Sequence, residues 1–230
     1  MKKFFCILCV FSILCCLCSC NRNNTHKANE YEAMKTSVTK DSVKEFVSLL
    51  EDFEPGGLVS GYEYNEKNCY NVTPTEVAAE TDMKIFKFSD SCASFVMLNN
   101  EVYPFCEGVG GYGFVKAIPC DFDNDGNKDL LVASSWGSGV HRSVISVFNS
   151  VSKESTILYT SDTDLIVARS TANIFTDNPE IDEKLYYSVL SVKINVEDNN
   201  FANLSYDVTG VEGHIECENN SPQFIPYQEQ

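Results

Sequence analysis

Short apolar runs separated by clusters of Asn, Asp and Gly constrain this chain more than any other feature. Beyond residue 83 they recur at roughly 8–12-residue intervals, the spacing of short strands in a largely antiparallel β domain. Met83–Phe88 alternates, with Ile85 marking one face and Phe86 and Phe88 the other. Phe95–Leu98 and Val102–Phe105 flank Asn99-Asn100, a hairpin signature because Asn tolerates positive φ. Phe114–Cys120, Leu130–Ser134, Val144–Phe148, Thr156–Tyr159, Leu165–Ala168, Leu185–Val196, Leu204–Val208 and His214–Cys217 continue the series. The tail from Asn219 to Gln230 is polar and is expected to be loosely held.

Before the strands, Thr39–Phe53 shows helical periodicity. Val43, Phe46, Val47 and Leu50 share one face, with Lys44, Glu45, Ser48 and Glu51 off it. Asp41 is the expected N-cap and Glu54-Pro55-Gly56-Gly57 the stop. The apolar stripe reads as a core-docking face. A second, shorter helix is expected over Thr75–Thr81.

The chain opens Met1-Lys2-Lys3, followed by an apolar run from Phe4 to Leu17. That run is shorter than the ~20 residues a membrane-spanning helix needs, so it reads as a signal peptide over 1–19. It ends Leu17-Cys18-Ser19-Cys20, which resembles the lipobox of bacterial lipoproteins. In that family the invariant Cys takes a diacylglycerol and the signal is cut just before it. The resemblance implies an exported protein anchored by lipid at Cys20, facing away from the cytoplasm. Residues 20–38 are polar and read as a flexible tether, and 39–230 as a single β-rich domain.

Seventeen Lys+Arg stand against 33 Asp+Glu, a formal net charge of −16, and the signal segment carries Lys2 and Lys3. Such acidity repels nucleic-acid phosphates and anionic headgroups, so no nucleic-acid partner is expected and attachment falls to the lipid. Five cysteines follow Cys20: Cys69, Cys92, Cys106, Cys120 and Cys217. Export permits disulfides, and an odd number leaves one thiol over unless it pairs between chains. Core thiols and one or two bridges are both open from spacing alone.

The stretch richest in chemistry is Asp121-Phe122-Asp123-Asn124-Asp125-Gly126-Asn127-Lys128-Asp129. Carboxylates at loop positions 1, 3, 5 and 9 repel one another and are stable in water or around a cation. Calcium takes 6–8 oxygens at about 2.3–2.6 Å from carboxylates, carbonyls and water. Gly126 permits the sharp turn, and Asn127 offers its backbone carbonyl. An EF-hand would need an acidic residue at position 12, where this chain has Val132 in an apolar strand-like run. The spacing resembles instead the Asp-x-Asp-x-Asp-Gly-x-x-Asp loop of FG-GAP and VCBS repeats, with Phe114–Val132 giving strand, loop and strand. That resemblance implies Ca²⁺ held by Asp121, Asp123, Asp125, Asn127 and Asp129, mainly to rigidify the loop. One copy of the loop, with no second, argues against a complete propeller. The expected fold is therefore mainly β, an antiparallel domain of propeller-blade-like or sandwich-like meander with an N-terminal amphipathic helix.

Gly108-Val109-Gly110-Gly111-Tyr112-Gly113 satisfies G-x-G-x-x-G in form, but a strand and not a helix is expected to follow, so a nucleotide site is not expected. Ser135–Ser143 holds the single Trp together with His141 and Arg142. Trp136, His141 and Arg142 can bind a ligand by stacking and charge, or form a tight turn stabilised by a buried Trp136, with Arg142 paired to an aspartate. Following the calcium-loop strand, they are expected near the ion. No spaced acid/base pair marks a catalytic centre. The expected function is a calcium-stabilised extracytoplasmic binding module for a protein or glycan, with an envelope hydrolase of glycans or peptides and a purely structural envelope component as alternatives.

Overall fold

The computed structural model describes residues 34–51, 61–104, 110–171, 185–218 and 221–227, all within one compact unit. The expected signal peptide (1–19), Cys20, most of the expected tether, the helix stop at 54–57 and Cys106 lie outside the described residues.

Among the described residues the fold is mainly β and every sheet is antiparallel. The first sheet runs β2 (Cys69–Asn71), β3 (Lys84–Phe88), β4 (Ser94–Leu98) and β5 (Glu101–Pro104), in that spatial order. The second runs β6 (Gly113–Cys120), β7 (Asp129–Trp136), β8 (Arg142–Phe148) and β9 (Ser155–Ser161), again in chain order. The third holds β10 (Leu165–Thr171), β11 (Leu185–Val196) and β12 (Leu204–Glu218), with both β1 (Met34–Lys35) and β13 (Ser221–Pro226) paired to β12. Neighbours in sequence are thus neighbours throughout the first two sheets and from β10 to β13 in the third, while β1 joins β12 from the other end of the chain.

Helix α1 (Val43–Glu51) covers one face of the first sheet. Its buried Val43, Phe46, Val47 and Leu50 meet Phe86, Phe88, Phe95 and Met97, and the Phe46 and Phe86 rings stack at 4.2 Å. Lys44, Glu45 and Ser48 point to solvent. On the other face of the same sheet, Ile85, Val96 and Leu98 pack with Phe114, Ala117, Leu130, Val132 and Phe148 of the second sheet. Period-2 alternation therefore sends β3 side chains to two different cores, which is why β4 is buried at every position.

Several boundaries differ from the sequence expectation. Asp41 does not cap α1: Ser42 sits at φ 59°, outside the helical region, and Thr39 instead exchanges backbone hydrogen bonds with Asn71. The stretch expected as tether through residue 38 includes β1, whose Met34 and Lys35 pair with Tyr206 and Ser205. The tail expected to be loose from residue 219 includes β13. That strand carries no apolar alternation, since it joins by its backbone and by a Phe224–Tyr159 ring stack at 4.0 Å. His214–Cys217 and Leu204–Val208 merge into β12, with register irregularities against β11 between Val189/Leu190 and Ser191/Val192.

Candidate metal centre

Antiparallel pairing of β6 with β7 sets Cys120 opposite Asp129, so residues 121–128 must turn back within a short distance. Two features make that turn. Asn124 and Gly126 adopt positive φ, at 56° and 87°, the second a conformation that glycine takes without a Cβ penalty. The backbone N–H groups of Asp125, Gly126 and Asn127 donate to carboxylate oxygens of Asp123, Asp121 and Asp125, at 3.2, 3.2 and 2.7 Å. Phe122 is buried against Tyr187 of β11, ring centroids 5.5 Å apart, and its carbonyl accepts the Cys217 thiol of β12. A buried aromatic at position 2 thus pins an otherwise polar loop to the third sheet.

One carboxylate oxygen from each of Asp121, Asp123 and Asp125 lies within 4.8 Å of the others. Two oxygens on one calcium ion stand at most about 5 Å apart, twice the usual metal–oxygen distance, so the triad fits a single ion. Asp129 is 1 % exposed, and its two oxygens differ. Oδ1 accepts the Ser150 N–H at 2.8 Å, whereas Oδ2 is buried with no hydrogen-bond partner, as is Asp121 Oδ1. Burial pushes the Asp129 carboxyl above its ordinary range; the Ser150 and Phe122 N–H groups act against this and the Asp123 charge adds to it. Asp125, fully solvated, is held below its ordinary value by the Asn127 side chain and N–H. Among the described residues no Lys or Arg forms an ion pair with these four carboxylates. A buried acceptor without a donor costs about 1–3 kcal/mol, and more when charged, a penalty that a cation at this point would remove. The residue types, their spacing and the two orphaned oxygens all fit a hard, oxygen-seeking cation.

No protein-family model, no curated protein and no solved structure matches this chain. The likeness to FG-GAP and VCBS loops rests on the Asp121–Asp129 spacing and its strand–loop–strand setting.

Asn127 donates its N–H and its side-chain amide to Asp125, and neither bond engages the backbone carbonyl expected to face a cation. Two residues that sequence spacing did not single out also reach the loop. Asn149 Nδ2 donates to Asp123 Oδ2 at 3.0 Å, and Ser150 holds Asp129. Both lie in the β8–β9 turn, and only the β7–β8 register, with Leu130 opposite Phe148, brings them there.

The other expected site residues do come together, but elsewhere. Trp136 and Arg142 are a directly paired couple at the β7–β8 hairpin, the guanidinium 5.9 Å from the Trp ring centroid. Arg142 faces Asp162 at 3.8 Å, and His141 meets Tyr112 edge-on at 5.1 Å. The backbone is tight here. Gly111 has φ 70°, and a Cβ on it would lie 2.5 Å from Trp136 Cα. The expectation that this hairpin sits near the ion is corrected by β7 itself, which starts at Asp129 and ends at Trp136. Seven residues of strand separate the two sites by roughly 23 Å. Trp136 is 38 % exposed and so is no core residue. The glycine-rich segment runs on from Gly113 into β6. Cys69, Cys92, Cys120 and Cys217 form no disulfide with one another, and the first three are buried. A cavity of about 70 Å³ lined by Thr36, Glu76, Lys116 and Tyr206 has room for little more than water.

Proposed function

We propose that this chain is an extracytoplasmic, lipid-anchored binding module whose β domain is stabilised by Ca²⁺ at Asp121–Asp129. The observation that carries the metal assignment is the cluster of Asp121, Asp123 and Asp125, in which Asp121 Oδ1 is buried without a partner; Asp129 Oδ2, likewise orphaned, belongs to the same loop but not to that cluster. The first and second sheets are both four-stranded meanders of consecutive strands, and this supports a blade-like over a sandwich-like description. The Trp136–Arg142 hairpin is the surface we assign to the ligand, a protein or glycan. An exposed indole beside a guanidinium offers stacking and charge together. Export and the anchor rest on the signal-like N-terminus and on Cys20.

Thermal unfolding of wild type and Asp125→Ala, each in chelator and in millimolar calcium, tests the metal assignment. Affinity on the order of 10⁻⁴–10⁻³ M is expected for an extracellular module. Calcium at about ten times Kd then adds ~1.4 kcal/mol, and raises the wild-type midpoint by about 3–5 °C. Asp125→Ala loses a ligand but also relieves repulsion, so it should match or exceed wild type in chelator and gain much less from calcium. Magnesium should substitute poorly, because it holds its water tightly and requires an octahedral cage. Equal calcium-induced shifts in the two proteins would place the ion elsewhere.

A further inference from the structure

The β8–β9 turn touches the acidic loop at two points. Asn149 Oδ1 accepts the N–H groups of Val151 and Ser152, at 2.9 and 2.7 Å. With its oxygen committed to the turn, the amide nitrogen is the end that must face Asp123 Oδ2, and it does so at 3.0 Å. One residue later the Ser150 N–H takes Asp129 Oδ1, leaving Oδ2 as the buried orphan. The turn is itself closed by backbone bonds between Asn149 and both Lys153 and Glu154, at 2.9 Å each. A donor on one oxygen of a carboxylate fixes the direction of the other, which is how groups behind a metal ligand tune the ion's affinity.

Resting on the calcium assignment above, we infer that the β8–β9 turn is part of the cation site. Asn149 is a positioning residue for Asp123, and the Ser150 N–H holds Asp129, whose other oxygen is the buried orphan. The loop Asp121–Asp129 supplies the charge, and a turn distant in sequence supplies the aim. Calcium therefore couples two hairpin connections at the same end of the second sheet, β6–β7 and β8–β9.

Asn149→Ser keeps a short oxygen able to accept from the Val151 and Ser152 N–H groups but cannot reach Asp123. Asn149→Asp is isosteric, still accepts from the turn, and sets a carboxylate against Asp123 in place of a donor. Each protein is titrated with calcium chloride by calorimetry and melted in chelator and in calcium. Asn149→Ser should melt close to wild type in chelator yet bind calcium about tenfold more weakly. Asn149→Asp should melt below wild type in chelator and gain more than wild type on adding calcium, because the new charge adds to the site. A residue that only shapes the turn would leave calcium affinity unchanged in both variants, and that result would overturn the inference while leaving the metal site standing. A wild type that does not bind calcium would remove both.

Discussion

Glu80, at the end of helix α2 (Thr75–Glu80), meets Arg169 of β10 with two bonds, Nη1 to Oε1 at 2.6 Å and Nη2 to Oε2 at 3.1 Å. The same guanidinium donates to the Pro119 carbonyl at 2.7 Å, next to the acidic loop. The Arg169 hydrogen bond holds the Glu80 carboxyl below its usual 4.5. Burial would raise nearby Glu76, but its Lys116 partner at 2.6 Å prevails and that carboxyl too is lowered. A carboxyl lowered in the fold stabilises above its unfolded value, and that contribution is lost as pH falls through the folded value. Glu80→Gln should therefore be less stable than wild type at pH 7, by at most about 1 kcal/mol because the pair is partly exposed. The gap should close as pH falls below about 4.5, where wild-type Glu80 also becomes neutral. Denaturant midpoints of both proteins from pH 7 to pH 2.5 read this difference. Asp129 and Asp164, both raised by burial, run the other way but cancel between variant and wild type. A gap that persists unchanged in acid would mean the charge at Glu80 contributes nothing. At this scale the acidic cluster was legible from sequence because its carboxylates recur at close local spacing. Asn149 was not, since its contact with Asp123 spans 26 residues and exists only through sheet register.

Helix α1 shows what apolar periodicity can and cannot settle about an element. The stripe Val43, Phe46, Val47 and Leu50 is the buried face, because a helix over a sheet can bury only one side. Its start was misjudged by reliance on Asp41, where a left-handed Ser42 and the Thr39–Asn71 bridge take precedence. Strands follow the same division. Those made of nearly continuous buried runs, such as β3, β6 and β7, were visible in the sequence, and Asn99-Asn100 marked its hairpin by the positive φ both residues adopt, 54° and 61°. Strands β1 and β13, held to β12 by backbone bonds, carry little side-chain pattern to read. Phe46 is the keystone of α1: fully buried, stacked on Phe86 and within 6.1 Å of Phe88 and 5.8 Å of Phe95. Phe46→Ala should cost about 3–5 kcal/mol, measured by equilibrium denaturation, since the Phe86, Phe88 and Phe95 rings lose their shared neighbour. The calcium-induced gain in stability should survive, because the acidic loop lies in the second sheet. Loss of that gain would show that the first sheet and the loop are coupled.

The whole molecule is acidic, with net charge −16, and among the described residues the cluster of carboxylates that can hold an ion is on a surface loop. A surface of that sign is repelled by anionic headgroups, and no described helix is long and apolar enough to cross a membrane. Attachment by the folded domain's own charge is thus unfavourable. If the protein is membrane-attached as proposed, the lipid on Cys20 must supply nearly all of the affinity. Each buried methylene of an acyl chain contributes about 0.8 kcal/mol, so a diacylglycerol far exceeds the electrostatic penalty, whereas loss of the chain leaves only repulsion. Cys20→Ala expressed in a bacterial host should therefore take up no labelled fatty acid and be mis-sorted, and without residues 1–19 it should move from the membrane to the soluble fraction. The purified domain should melt at the wild-type temperature, with the wild-type calcium shift, because Cys20 lies outside the described fold. Raising the salt concentration should not bring the variant back to membranes, since screening removes the repulsion without adding attraction. Equal fatty-acid incorporation by wild type and variant would place the modification at another residue. A variant that stays on membranes without lipid would show that a protein surface, and not Cys20, makes the attachment.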